Sequence, residues 1–209
     1  MARYTGPVCR LCRREKMKLY LKGAKCDTMR CPIERRPTPP GEHGRDRLRQ
    51  GSEYNTQLRE KQKARRIYGV LEQQFVNLYD EANRQQGITG ENLLLMLERR
   101  LDNAVYRMGL ASSRAAARQL VRHGHIQVSG RKVNIPSFAV APGQEIALRE
   151  SSRNMAPVLR SLDLSGGRNI PPWLQFDREG MKAKVISLPK REDVNFPIQE
   201  QMVVELYSK

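Results

Sequence analysis

Between residues 94 and 135 the spacing of apolar positions changes from that of helices to that of strands. Leu94, Leu97, Leu101, Val105 and Met108 recur at steps of three and four, which predicts a one-sided helix ending at Gly109. Ser112 or Ser113 is placed to cap a second, short helix that stops at Gly124. Ile126 and Val128 then alternate with polar residues, Ser129-Gly130 suits a tight turn, and Val133 and Ile135 alternate back as a hairpin. On the second helix Arg114, Arg118 and Arg122 stand four apart and fan across roughly 80° of one face, with Ala116, Ala117 and Leu120 opposite. Helix, turn, helix and hairpin therefore predict one packed unit with a basic face.

The flanking pattern fills in the rest. Residues 52–68 predict a helix capped by Ser52 and ended by Gly69. Its apolar positions are few (Tyr54, Leu58, Ile67), and Arg59, Lys61, Lys63, Arg65 and Arg66 crowd it, so it is expected to be half buried with a nucleic-acid face. A helix over 71–85 packs through Phe75, Leu78, Tyr79 and Ala82, and Gly87 breaks it. After Ile135 the period turns strand-like: Ile146 and Leu148 follow the Pro142-Gly143 turn, and 173–176 and 184–188 read as two more strands. A short helix is expected over 154–164, and another over 198–207 that docks back on segments before residue 98. The expected fold is α+β. Three parts are predicted: a basic N-terminal module at 1–45, a helical domain at 46–97 with 190–209, and an RNA-binding domain at 98–189 with a five-stranded antiparallel sheet.

Charge sharpens this picture. The 209 residues carry a net +16, a balance that points to a polyanionic partner, nucleic acid first. Residues 1–70 hold 19 Lys or Arg against 7 Asp or Glu, so most of the surplus lies there. From Glu98 to Ile135 eight cations face only Glu98 and Asp102. Aromatic residues make up only 6%, which favours phosphate contact and shape recognition over base stacking. Candidate RNA contacts are Arg13, Arg14, Arg45, Arg47, Lys61, Lys63, Arg65, Arg66, Arg114, Arg118, Arg122, His123, Arg131 and Lys132. Residues 32–51, rich in Pro, Gly and Arg, form an irregular connector suited to lie along RNA. No apolar run is long enough to span a bilayer, and no secretory signal is visible, so a cytosolic protein is expected.

All four cysteines precede residue 32. Cys9, Cys12, Cys26 and Cys31 form C-x2-C, thirteen residues, then C-x4-C, two close pairs that can supply the corners of a tetrahedron around one structural zinc ion. Neighbouring Arg10, Arg13, Arg14, Lys25 and Arg30 favour thiolates. Disulfides would need an oxidising compartment; four ordinary free thiols are the plainer alternative.

Motifs at both ends and in the middle resemble the family of bacterial small-subunit ribosomal protein four, in its zinc-containing, four-cysteine form. They are PPGEHG at 39–44, LREKQKARRIYG at 58–69, LERRLDNAVYRMG at 97–109, SSRAAARQLVRHGHI at 112–126, PPWL at 171–174 and VELYSK at 204–209, together with the cysteine pattern. The resemblance implies no enzymatic activity. It implies a primary binder of small-subunit ribosomal RNA that nucleates assembly at a helix junction in the 5′ domain. It also implies proteins three and five as neighbours, an influence on decoding accuracy, and a place along the mRNA entry path, on the ribosome in the cytoplasm. Ser129 departs from the Asn usual before the hairpin glycine. One rival is an RNA-modifying enzyme, since Arg100-Leu101-Asp102 mimics the motif around a pseudouridine synthase nucleophile; an ordinary helical ion pair is the commoner role for that Asp. The other rival is a zinc-dependent DNA-binding regulator, which charge alone does not exclude.

Overall fold

Residues 3–45, 51–164 and 169–208 are described by the computed structural model, the side chains of His43 and Arg45 excepted. The helices in chain order are α1 (Cys9–Glu15), α2 (Pro32–Arg35), α3 (Glu53–Tyr68), α4 (Glu72–Arg84), α5 (Thr89–Glu98), α6 (Leu101–Arg107), α7 (Arg114–Arg122), α8 (Ala156–Leu164) and α9 (Glu200–Tyr207). Between α7 and α8 run β1 (Ile126–Val128), β2 (Arg131–Lys132) and β3 (Glu145–Leu148); β4 (Leu174–Asp177) and β5 (Lys182–Val185) follow α8. Contacts divide the chain into one unit of residues 1–93 with 196–209 and a second of residues 94–195.

The first unit is built on α3. The Ser52 hydroxyl accepts from the Asn55 amide at 3.3 Å, and Gly69 ends the helix with φ +64°, so both ends are set by the residues the sequence offered. The chain's last helix, α9, lies against α3. Its Tyr207 ring sits 4.6 Å from Tyr79 and 6.3 Å from Phe75, while the hydroxyl donates to Glu72 Oε1 at 3.1 Å. Gln57 Nε2 adds a bond to Glu205 Oε2 at 3.0 Å. The C-terminal segment is thus a helix, as expected, and it is fixed by both aromatic packing and polar contacts.

The second unit carries an antiparallel five-stranded sheet in the order β2-β1-β3-β5-β4. Val128, Ile146, Ala183 and Phe176 are successive cross-strand partners, so the pleat puts one apolar row on the face packed into the core. Leu101, Val105 and Met108 of the α6 segment, Ala117 and Val121 of α7, Val158 of α8 and Trp173 complete that core. Ser113 is the cap of α7 and accepts from Ala116 N at 3.3 Å.

The expected continuous helix from Leu94 to Met108 does not form. It breaks at Arg99-Arg100, where Arg100 makes a strand-like bridge with Ala139. The cause is the returning segment 136–140: Leu101 N donates to Phe138 O at 2.8 Å, Asp102 N to Pro136 O at 3.1 Å, and Val140 N to Arg99 O at 2.9 Å. These bonds satisfy the amides that open α6, so a break costs little.

The hairpin turn between β1 and β2 has φ +47° at Ser129 and +77° at Gly130, both in the left-handed region that a type I′ turn demands. Gly130 adopts it freely, but Ser129 is strained there, and Asn tolerates that region better. Ser129→Asn should raise the stability of the chain by up to about 1 kcal/mol, read as a higher urea midpoint at unchanged m-value.

Candidate nucleic-acid interface

Two buried carboxylates organise the helices that carry the basic residues. Asp102, 3% exposed, stands at the start of α6 and accepts Arg100 Nε at 3.1 Å and Nη2 at 2.9 Å. It also accepts Arg118 Nη1 of α7 at 3.0 Å. Glu98 is fully buried and accepts Arg107 Nη2 at 2.7 Å and Asn103 Nδ2 at 2.6 Å. Asn103 in turn accepts Arg114 Nε at 2.8 Å, and the Arg114 guanidinium lies 4.6 Å from the centre of the Tyr106 ring. Burial pushes the Arg118 proton affinity down, and the Asp102 charge opposes this.

The three-arginine fan is therefore divided. Arg114 and Arg118 are buried at 8% and 6%, and their charges are spent on holding α6 and α7 together. Arg122 alone of the three is exposed. Asp102 likewise sits between two guanidinia, out of reach of a substrate, which leaves the pseudouridine synthase analogy without an accessible nucleophile.

A different cation cluster gathers where α7 ends. Gly124 terminates the helix with φ +73°, and a Cβ there would meet the Lys132 side chain. Lys132 comes from β2, and Arg149, just after β3, donates to Gly124 O at 3.4 Å and through its amide to His125 O at 2.9 Å. The His123 and His125 rings lie 6.1 Å apart, and His125 Nδ1 is 2.9 Å from Ser152 Oγ. Burial lowers the His125 proton affinity, and His123, Arg149 and Lys132 lower it further. Arg122, His123 and Lys132 are exposed, so the end of α7, β2 and the residue after β3 bring basic side chains to one glycine, and exposed Arg131 precedes Lys132 on β2. Arg149 was not singled out by the sequence pattern. The signal for Arg149 was its position one residue beyond Leu148, which pairs with Ile126 across β1 and β3.

The basic face expected on α3 is largely neutralised from within. Lys61 and Arg65 both bind Glu72, Lys63 pairs with Glu60, and Arg66 and Arg59 converge on Glu15 of α1, whose side chain is 1% exposed. Burial raises the Glu15 proton affinity against the pull of the two arginines. Arg14 is exposed, and Arg13 is turned inward, donating to Thr38 O at 2.9 Å and Pro39 O at 3.3 Å. Arg47 and the side chain of Arg45 lie outside the described residues.

Cys9, Cys12, Cys26 and Cys31 are free thiols lining one cavity of about 10 Å³, beside Val8, Leu21, Pro32 and Ile33. Burial raises the Cys12 and Cys26 thiol pKa values, while hydrogen bonds from the backbone of Leu19 and Lys22 lower them. Among the described residues no group of three or more His, Cys, Asp or Glu is arranged as a metal site. Four cysteine sulfurs are the donor set of a closed, four-ligand zinc site.

Comparison with known sequences places this geometry. The family described as Ribosomal protein S4/S9 N-terminal domain matches residues 3–98, and the S4 domain matches residues 99–146. The small ribosomal subunit protein uS4 of Thermus thermophilus is 57% identical over 209 residues, the whole of both chains. Those of Thermoanaerobacter sp. and Acidobacterium capsulatum are each 58% identical over the same full span. This chain belongs to the uS4 family of small ribosomal subunit proteins. Within it, the S4-domain match contains both the Asp102 network and the whole Gly124 cluster except Arg149 and Ser152. The boundary between the two matches falls at 98/99, where the helix breaks.

Removing a buried carboxylate strands the charges around it. Asp102→Ala should cost about 3–5 kcal/mol, because Arg100 and Arg118 lose their counter-ion while buried. Denaturant unfolding monitored at Trp173, which sits in the same unit, is the measurement, and a change below 1 kcal/mol would contradict the network's role.

Proposed function

We propose that this protein is a structural RNA-binding component of the small ribosomal subunit in the bacterial cytoplasm. It would hold a folded region of ribosomal RNA by its phosphates, and would make or break no bond. The observation that carries this is the cluster of Arg122, His123, His125, Lys132 and Arg149 around the end of α7, with Arg131 next to Lys132 on β2, inside or beside the S4-domain match. Cations fixed to a helix end, a hairpin and a strand end present rigid spacing to a phosphate backbone, which suits recognition by shape.

Family membership supports the finer features: nucleation of assembly at a helix junction of the 5′ domain, contact with ribosomal proteins three and five, an effect on decoding accuracy, and a position along the mRNA entry path. The four cysteines are proposed to hold one zinc ion in a purely structural role, since four protein ligands leave no open coordination position. In that state Cys9, Cys12, Cys26 and Cys31 would join α1 to the turn before α2, a stretch with little apolar material of its own.

Affinity for a small-subunit rRNA transcript should fall steeply with salt. Arg122→Ala and Lys132→Ala should each weaken binding several-fold and reduce the slope of log K against log salt by about 0.7–0.9 per lost contact. Neither should change the unfolding midpoint, because both side chains are exposed. Filter binding across a salt series decides this, and wild-type affinity in both variants would refute the placement. Chelation of zinc should sensitise residues 1–45 to protease while leaving 98–188 protected; identical digests with and without chelator would exclude the structural ion.

A further inference from the structure

The four sulfurs of the cysteine centre are not equally placed. Cys12, Cys26 and Cys31 are 7%, 6% and 5% exposed, while Cys9 alone among them is partly open to solvent. Two of the buried sulfurs are also held by the main chain: Lys22 N donates to Cys26 Sγ at 3.4 Å, and the amide of fully buried Leu19 donates to Cys12. Cys9 is the first residue of α1 and Cys12 stands three further on. Helix geometry puts such a pair on one face with Cβ atoms about 5–6 Å apart. A disulfide needs about 3.5–4.5 Å. The tightening falls on the first turn of α1, where the Cys9 amide has no helical bond to lose. Lys22 and Lys25 are exposed and line the same cavity, and no carboxylate is among its described lining residues.

We infer that Cys9 is the site at which hydrogen peroxide oxidises the cysteine centre, with Cys12 as its resolving partner, and that this reaction releases the structural ion. The Cys9 thiolate attacks one peroxide oxygen; the S–O bond forms as the O–O bond breaks, and hydroxide leaves. The sulfur, oxidised by two electrons, becomes a sulfenic acid, and the peroxide is reduced. The Cys12 thiolate then attacks the Cys9 sulfur, the S–S bond forms, the S–O bond breaks and a second hydroxide leaves. Two thiolates and one peroxide thus give one disulfide and two hydroxides, which depart past Lys22 and Lys25. Cys26 and Cys31 remain, too few to close a four-ligand site. The consequence is local. Glu15 still holds α1 on α3 through Arg59 and Arg66, and a bond between two residues of α1 adds no link to the rest of the unit. Residues 16–36 lose their anchor and keep only weak surface ties such as the Lys18–Glu34 ion pair. The inference rests on the proposed zinc ion and adds how that ion is let go.

The test uses the full chain loaded with one equivalent of zinc, limiting hydrogen peroxide, a fluorescent zinc indicator and peptide mapping of the cysteines. Dimedone, which traps sulfenic acids, should label Cys9 about tenfold more than any other cysteine, in line with its access. Without dimedone, a Cys9–Cys12 disulfide should accumulate in step with free zinc, one ion per disulfide. Trypsin should then cut within 16–36 and spare 53–68, and dithiothreitol with added zinc should reverse both changes. First labelling at Cys12, Cys26 or Cys31, or a first disulfide between any other pair, would overturn the assignment. Zinc retained through complete disulfide formation, or four thiols left unchanged by peroxide, would overturn it as well, with the zinc site itself still standing. A chain that takes up no zinc before any oxidant is added would remove the zinc proposal and this inference together.

Discussion

A carboxylate removed from water must be met by cations, and in this protein that requirement shapes the unit of residues 94–195. Asp102 draws Arg100 from the break before α6 and Arg118 from the middle of α7; Glu98 draws Arg107 and, through Asn103, Arg114. Such pairs contribute little net stability compared with an apolar core of the same volume, because desolvation offsets most of the attraction. What they impose is geometry. A guanidinium meets a carboxylate in few orientations, so the rotation of α7 about its axis is fixed by Arg114 and Arg118. Arg122 is thereby directed outward beside Gly124, Lys132 and Arg149. Buried charge sets the frame, and exposed charge is what remains for a partner.

The same division governs the first unit, where counting residues misleads most. The five cations from Arg59 to Arg66 on α3 would make an extended basic stripe, yet Glu15, Glu60 and Glu72 take them all. Glu15 is nearly without solvent contact, so its two arginines secure α1, and with it the cysteine loop, to α3. The surplus of the first seventy residues must then be expressed by cations outside α3, such as Arg14, Arg35 and Arg36. Formal charge states how much attraction is available, and acid partners decide where it is spent.

These facts explain which parts of the fold were legible in the sequence. Helix ends were, because Ser52, Gly69, Ser113 and Gly124 act locally, and all four stand where capping chemistry requires. The C-terminal helix and the existence of five strands were legible from periods written in adjacent residues, but two strands lie earlier than their apolar alternation suggests: the hairpin returns at Arg131–Lys132, short of Val133 and Ile135, and the last strand is Lys182–Val185, leaving Ile186 and Leu188 exposed. The break at Arg99-Arg100 was not. Its cause is the segment 136–140, some forty residues later, which supplies carbonyls that no local pattern announces. The family resemblance, carried by motifs spread along the whole chain, was legible before any coordinate and is upheld by full-length relatives.

The structure divides the candidate arginine stripe between buried and exposed positions, and the division has a single physical root. Spacing of four residues places Arg114, Arg118 and Arg122 on neighbouring turns, but it does not say which way that face turns. An arginine stripe is a solvated face if its opposite side is the more apolar and no buried acid waits across from it. Here Asp102 and Asn103 lie across from the stripe, one helix away, and two of the three arginines turn inward to them. The two acids in an otherwise acid-poor stretch were the clue. In a segment with eight cations, Glu98 and Asp102 are conspicuous as counter-ions, and each marks a place where a cation is held inside. In this unit the few carboxylates therefore locate the scaffold: each marks where a cation is drawn inside, and Arg122, beyond their reach at the end of α7, stays at the surface.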